Sequence, residues 1–226
     1  MSPRGTRLVA GCGSLYALLL LVGGILERAG SRQEPSLQAT AVQIAFFYAS
    51  LGKISSIGSY LSLVGYLLFP PFLAGLWHAC TPRSDESRPL LWIGIASGLL
   101  ATCVHLVGEC SWVTAAAVAR SEGGIQVEVA RTLLWGSYML WATSWPLYGL
   151  FVGTLSLQLL RGNGLSRLLG ALGGILAVLL MASRLTFPSK VGVLVFDLYL
   201  GWVAVLGVAI CLGSIPRPAG TEGAVE

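Results

Sequence analysis

The hydrophobic pattern of this chain is a series of six long apolar stretches separated by short polar connections. They run over residues 8–26, 56–77, 90–112, 133–160, 168–182 and 191–212. Most reach the roughly 20 residues that a helix needs to cross about 30 Å of hydrocarbon, which predicts an all-α, polytopic transmembrane bundle of about six spans. The first stretch follows Arg4 and Arg7, a basic start that a signal peptide shares. Its length exceeds the apolar region of such a peptide and no small-residue cleavage site follows, so it is expected to stay as the first helix.

Departures from plain apolarity refine this picture. Residues 37–51 are apolar but interrupted by Gln38 and Gln43, and are expected either to lie on the interface or to extend the second helix out of the membrane. Pro70 and Pro71 near the end of the second stretch predict a kink or stop, and Pro146 predicts a kink in the fourth. Apolar character after residue 90 continues to about Ala119, more than one bilayer, so this helix is expected to tilt or protrude. Glu27–Pro35 reads as a polar loop, and the Pro- and Gly-rich tail over 213–226 is expected to be disordered.

Composition agrees: 55% of residues are apolar, 11% are charged, and the mean hydropathy is +0.77. No connection is long enough to bury a core of its own. The 14 Lys and Arg residues are scattered over loops and helix ends, a distribution that argues against a nucleic-acid surface. Counted over six spans they divide evenly between the two sides, so the positive-inside rule does not orient the chain; the basic leader favours a cytoplasmic N terminus. The five cysteines contain no Cys-x-x-Cys, and neither a disulfide framework nor a cofactor is expected. Three GxxxG spacings fall inside spans, at Gly94 and Gly98, Gly149 and Gly153, and Gly170 and Gly174. They predict tight packing within the bundle, or a homodimer through one of these faces.

Three ionisable residues within spans are the candidates for chemistry: His105, Glu109 and Asp197. His105 and Glu109 are spaced i, i+4 on the third span, with Thr102 and Trp112 on the same stripe. Glu109 comes late in span three and Asp197 early in span six, on the same membrane side, so a shared pocket is allowed. There Glu109 and Asp197 could act as acid and base, with His105 tuning Glu109. A purely structural role would instead pair Asp197 with Arg184 or Lys190. The set lacks His-x-x-His or Glu-x-x-His spacing, so no metal is expected. Tyr138, Trp141, Trp145 and Tyr148 form an aromatic face on the fourth span, and Tyr138, Trp141 and Trp145, with Thr102, could line a cavity for a lipid chain.

The order of pieces also carries a resemblance. The basic leader and first span, LGKISSIGSYLSLVGYLLFPPFLAGLW, GNGLSRLLGALGGILAVLL and the final GWVAVLGVAI resemble a group of small bacterial six-helix membrane proteins of unknown function. The resemblance implies a bacterial inner-membrane location and supplies no catalytic residues. The expected role is a non-enzymatic membrane protein that binds a lipid, a hydrophobic small molecule or a protein partner within its bundle. An intramembrane isomerase or cyclase acting on a lipid or isoprenoid is the first alternative, and a small proton-coupled transporter the second.

Overall fold

A computed structural model describes residues 3–30, 34–36, 38–80, 88–121, 123–162, 164–187 and 191–214; most of the tail and Lys190 lie outside the described residues. Within them the fold is all-helical: α1 (Pro3–Ala29), α2 (Ala41–Ser50), α3 (Lys53–Tyr66), α4 (Phe69–Cys80), α5 (Arg88–Ala119), α6 (Val127–Leu159), α7 (Leu165–Ser183) and α8 (Val191–Cys211). Five helical stretches are long and apolar enough to cross a membrane: Gly5–Ala29, Lys53–Cys80 (α3 and α4 together), Arg88–Ala119, Leu165–Ser183 and Val191–Cys211. The sequence led us to expect six. Helix α6 has the length, at 33 residues, but its Trp, Tyr, Ser and Thr content leaves it outside that set.

Several boundaries differ from the sequence-based expectation, for physical reasons. The region 37–51 contains a separate helix, α2, closed by a capping box in which Gln43 N donates to Thr40 Oγ1 and Thr40 N donates to Gln43 Oε1. The interruption of the second span precedes Pro70 and Pro71. Lacking amide hydrogens, they cannot continue the hydrogen-bond ladder of α3, and they occupy the first turn of α4, where no donor is needed. Leu67 and Leu68 close α3 with tighter turns onto Val64 and Gly65. Helix α6, by contrast, runs through Pro146 as one element. Helix α5 is 32 residues, about 48 Å at 1.5 Å per residue, and exceeds the bilayer as expected. Helix α1 extends beyond residue 26 and takes Glu27 and Arg28 into its last turn, so Glu27 is helical rather than part of a loop.

On α3 and α5 the faces are sorted inside out relative to a water-soluble bundle. Buried positions on α5 include Gly94, Ser97, Gly98, Ala101, Thr102, His105, Gly108 and Glu109, while Ile93, Leu99, Leu100 and Val107 are exposed. On α3 the buried stripe is Ser55, Gly58, Ser59, Ser62, Gly65 and Tyr66, and Ile54 and Ile57 face outward. Large aliphatics outside and small or polar residues inside is the pattern of helices solvated by lipid, where close backbone approach replaces the hydrophobic drive.

The helices fall into two packed groups. Helix α1 is the hub of the first, against α3, α4 and α8; α6 is the hub of the second, against α5, α7 and α2. Small residues permit the closest crossings inside each group. A methyl group on Gly58 would lie 2.6 Å from the Gly23 carbonyl oxygen, and one on Gly75 would lie 2.8 Å from the Ala10 amide nitrogen. The GxxxG faces are likewise taken up within the chain. Gly94 and Gly98 meet Thr154 and Phe151 of α6, Gly149 meets Ala177, Leu180 and Met181 of α7, and Gly170 meets Ser156 and Leu160; Gly174 alone among them faces open space. The two groups join along a seam formed by α3 and α4 on α5, and by α8 on α7 and, more sparsely, on α6.

Candidate functional site

Several of the intramembrane polar groups lie at this seam. On the α5 side, the stripe Thr102, His105, Glu109 and Trp112 is entirely buried, because spacings of three and four residues keep successive side chains on one helix face. Glu109 is 4% exposed and has Glu27, in the last turn of α1, as its acidic neighbour. Glu27 is held in turn from α3, where Ser62 Oγ donates to Glu27 Oε1 at 3.3 Å and Ser59 lies close by. Glu109 Oε1 has no hydrogen-bond donor among the described residues.

One turn from Glu109, His105 is packed among aromatic rings from both groups. Phe196 of α8 stacks on it at 4.8 Å between ring centres and Trp141 of α6 at 6.0 Å, while Tyr66 of α3 lies at 5.6 Å and Tyr148 at 6.2 Å. Its Nδ1 is 2.9 Å from Ser144 Oγ, and Ser144 Oγ donates to the Trp141 carbonyl at 2.7 Å. With the Ser144 proton spent on that carbonyl, the network is satisfied when His105 carries its proton on Nδ1 and donates it to Ser144. Thr102 Oγ1 donates to the Gly98 carbonyl and can therefore accept from Tyr148 Oη at 3.1 Å. Thus His105, Thr102 and Trp141 are brought together, but as a filled polar and aromatic core.

The open space of the seam lies elsewhere. A half-open groove of about 240 Å³ separates α3 from the second half of α5, with Ser55, Ser59, Leu63, Trp112 and Ala116 among its walls and Arg120 at the end where α5 stops. From Ser55 to Leu63 the α3 wall is about 12 Å long at 1.5 Å per residue. The walls are mostly apolar, with a serine stripe along the α3 side. Arg120 is anchored there by Nε on the Ala116 carbonyl at 2.9 Å and by Nη1 on Ser56 Oγ at 2.8 Å. Ser59 belongs both to the groove wall and to the shell around Glu27, so the groove and the acid pair are two sides of one wall.

The remaining candidates are engaged differently from expectation. Asp197 forms an ion pair with Arg28, 3.8 Å between Oδ2 and Nη2, half exposed, whereas Glu109 has Glu27 as its acidic neighbour. Arg184 lies over Phe187 and against Met139. Trp145 is buried against Gly192 of α8, which has no side chain to hold it off. Tyr138 donates its hydroxyl to Glu34, outside the bundle, and packs on Trp112 and Trp141. The groove described above is lined by Trp112. On α2, burial and the neighbouring Glu34 carboxylate push the Tyr48 phenol well above its ordinary range.

Glu27 is the functional candidate that the sequence reading passed over. The signal was present: the buried positions of α1 recur at Thr6, Ala10, Gly13, Ala17, Leu20 and Gly23, and one further step of four falls on Glu27. No family model, curated protein or solved structure matches the chain.

Proposed function

We propose that this chain is a six-span membrane protein that holds the acyl chain of an anionic phospholipid in the lateral groove between α3 and α5. The observation that carries this reading is the groove itself: apolar walls open to the side, a polar stripe along one wall, and a guanidinium fixed at the end. Among the described residues, Ala116 and Ser56 use two of the five donor hydrogens of Arg120, which leaves three for a phosphate.

The sixth span is α6. It lies between α5 and α7, both long and apolar enough to cross, and its polar residues are spent internally: the hydroxyls of Ser137, Ser144 and Thr154 all donate to α6 carbonyls. Such bonds remove the cost of carrying hydroxyls through hydrocarbon. The family resemblance and the basic leader favour a bacterial inner membrane with the N terminus in the cytoplasm. The groove then opens toward the outer leaflet, because α5 ends on the side where α1 ends. An isomerase or cyclase using Glu109 and Asp197 is the weaker reading, since Asp197 is committed to Arg28 and Glu109 to Glu27.

Native mass spectrometry of the protein released from nanodiscs of mixed phosphatidylglycerol and phosphatidylethanolamine tests the reading. One phosphatidylglycerol should remain bound. Ala116→Phe should fill the groove and lower that occupancy about tenfold, and Arg120→Ala should erase the preference for the anionic headgroup, the loss of one charge-assisted contact. Full occupancy in a folded Ala116→Phe protein would refute the assignment.

A further inference from the structure

We infer that the groove recognises the acyl ester of its lipid through the hydroxyl of Ser55, and so takes ester-linked in preference to ether-linked phospholipid; the inference rests on the lipid reading above. Ser55 is 3% exposed and lines the groove from the α3 side. It is next in the chain to Ser56, whose Oγ receives Arg120 Nη1 at 2.8 Å. A lipid whose phosphate meets Arg120 therefore brings its glycerol ester, a few bonds further on, past Ser55 before its chain reaches the apolar walls.

Ser55 is singled out by its unspent hydroxyl. Serines on apolar helices ordinarily bond a carbonyl of their own helix, three or four residues back. Ser97, Ser111, Ser137 and Ser183 all do so here, and Ser56 donates to the Gly52 carbonyl at 3.4 Å. Ser55 stands in the first turn of α3, and the residue four places before it, Leu51, is extended, so no helical carbonyl is offered to it. Among the described residues its hydroxyl has no hydrogen-bond partner, and the groove is the open space it borders. The level is also that of an ester: α3 begins at Lys53 and α5 ends at Ala119, which places Ser55 and Arg120 at the boundary between headgroups and acyl chains.

The facing wall agrees in kind. Trp112 of α5, which also lines the groove, has its indole Nε1 buried and without a partner among the described residues. Indole and guanidinium donate hydrogen bonds and accept none, so the polar groups around this groove call for acceptors. A phosphate and an ester carbonyl are acceptors. An ether-linked lipid has no carbonyl at that point and leaves the Ser55 hydroxyl shielded from water without a partner, which weakens its binding.

The test is a competition on the full-length protein in nanodiscs that carry equal amounts of diacyl phosphatidylglycerol and its dialkyl ether analogue with chains of the same length. Native mass spectrometry tells the two bound lipids apart by mass. The wild type should hold the ester lipid over the ether lipid by about fivefold, the worth of one neutral hydrogen bond. Ser55→Ala should abolish the preference by losing ester lipid alone, whereas Arg120→Ala should weaken both lipids and keep their ratio. Ser55→Cys retains the volume with a weaker donor and should fall between; it carries the test should Ser55→Ala fail to fold. Bound lipid in the wild type without preference for the ester would overturn the inference and leave the lipid reading standing, and so would a preference that survives in Ser55→Ala. Absence of both lipids from folded protein would instead overturn the lipid reading.

Discussion

The crossing of α1 on α3 and the facing of α3 and α5 share one helix yet are built on opposite principles. Between α1 and α3, Gly23 and Gly58 bring the backbones into contact, and a methyl group on either would meet the other's carbonyl oxygen. Between α3 and α5 the same α3 helix presents serines to a half-open groove, and a ring of aromatics bridges the distance. Close backbone packing is rigid because its energy falls steeply with separation. Hydrogen bonds and stacked rings at a sparsely packed seam can be exchanged for lipid contacts at lower cost. A protein with both kinds of joint moves, if it moves, as two groups about the seam.

Substitutions at the two kinds of joint should differ in size accordingly. Gly58→Val should cost the most, about 3 kcal/mol or more, because the added carbon meets the Gly23 backbone rather than a movable side chain. Thermal unfolding in detergent, followed by tryptophan fluorescence, reads this as a large drop in midpoint, and an unchanged midpoint would refute the rigid crossing. Phe196→Ala removes the ring stacked on His105 across the seam and should cost about 2 kcal/mol in the same assay. His105→Phe should cost less than about 1 kcal/mol, since Ser144 keeps its bond to the Trp141 carbonyl and the new ring retains the stacking partners. A cost above that of Phe196→Ala would mean that the imidazole has a role beyond filling the seam. Asp197→Asn should have the smallest effect, under about 0.5 kcal/mol, because its pair with Arg28 is long and half exposed. A loss of lipid binding in that variant would bring Asp197 back into the site.

The parts of the candidate site differ in how far they could be read from the chain. The stripe of Thr102, His105, Glu109 and Trp112 follows from helical spacing alone, and the structure has all four buried. The pairing of Glu109 could not be read that way. Parity of the spans allowed Asp197 on the same side but left which residue reaches Glu109 to packing. Glu27 was obscured because charge at the edge of an apolar run reads as loop, although the small-residue period of α1 continues to it. Trp141 and Trp145 have the pattern of a cavity lining, and the same pattern fits packed core; only the proximity of His105 to the one and Gly192 to the other distinguishes them.

What the sequence determined by itself is the environment and the element type. Backbone groups in hydrocarbon must be satisfied within each segment, so long apolar runs have helix as their available form, and the outward placement of Leu, Ile and Val follows. The tertiary structure decided which faces meet: that α3 is bound tightly to α1 and loosely to α5, that a groove is left between them, and that Glu27 meets Glu109. Those outcomes depend on contacts between residues far apart in the chain, where small differences in side-chain size set the helix separation, and no local period in the sequence encodes them.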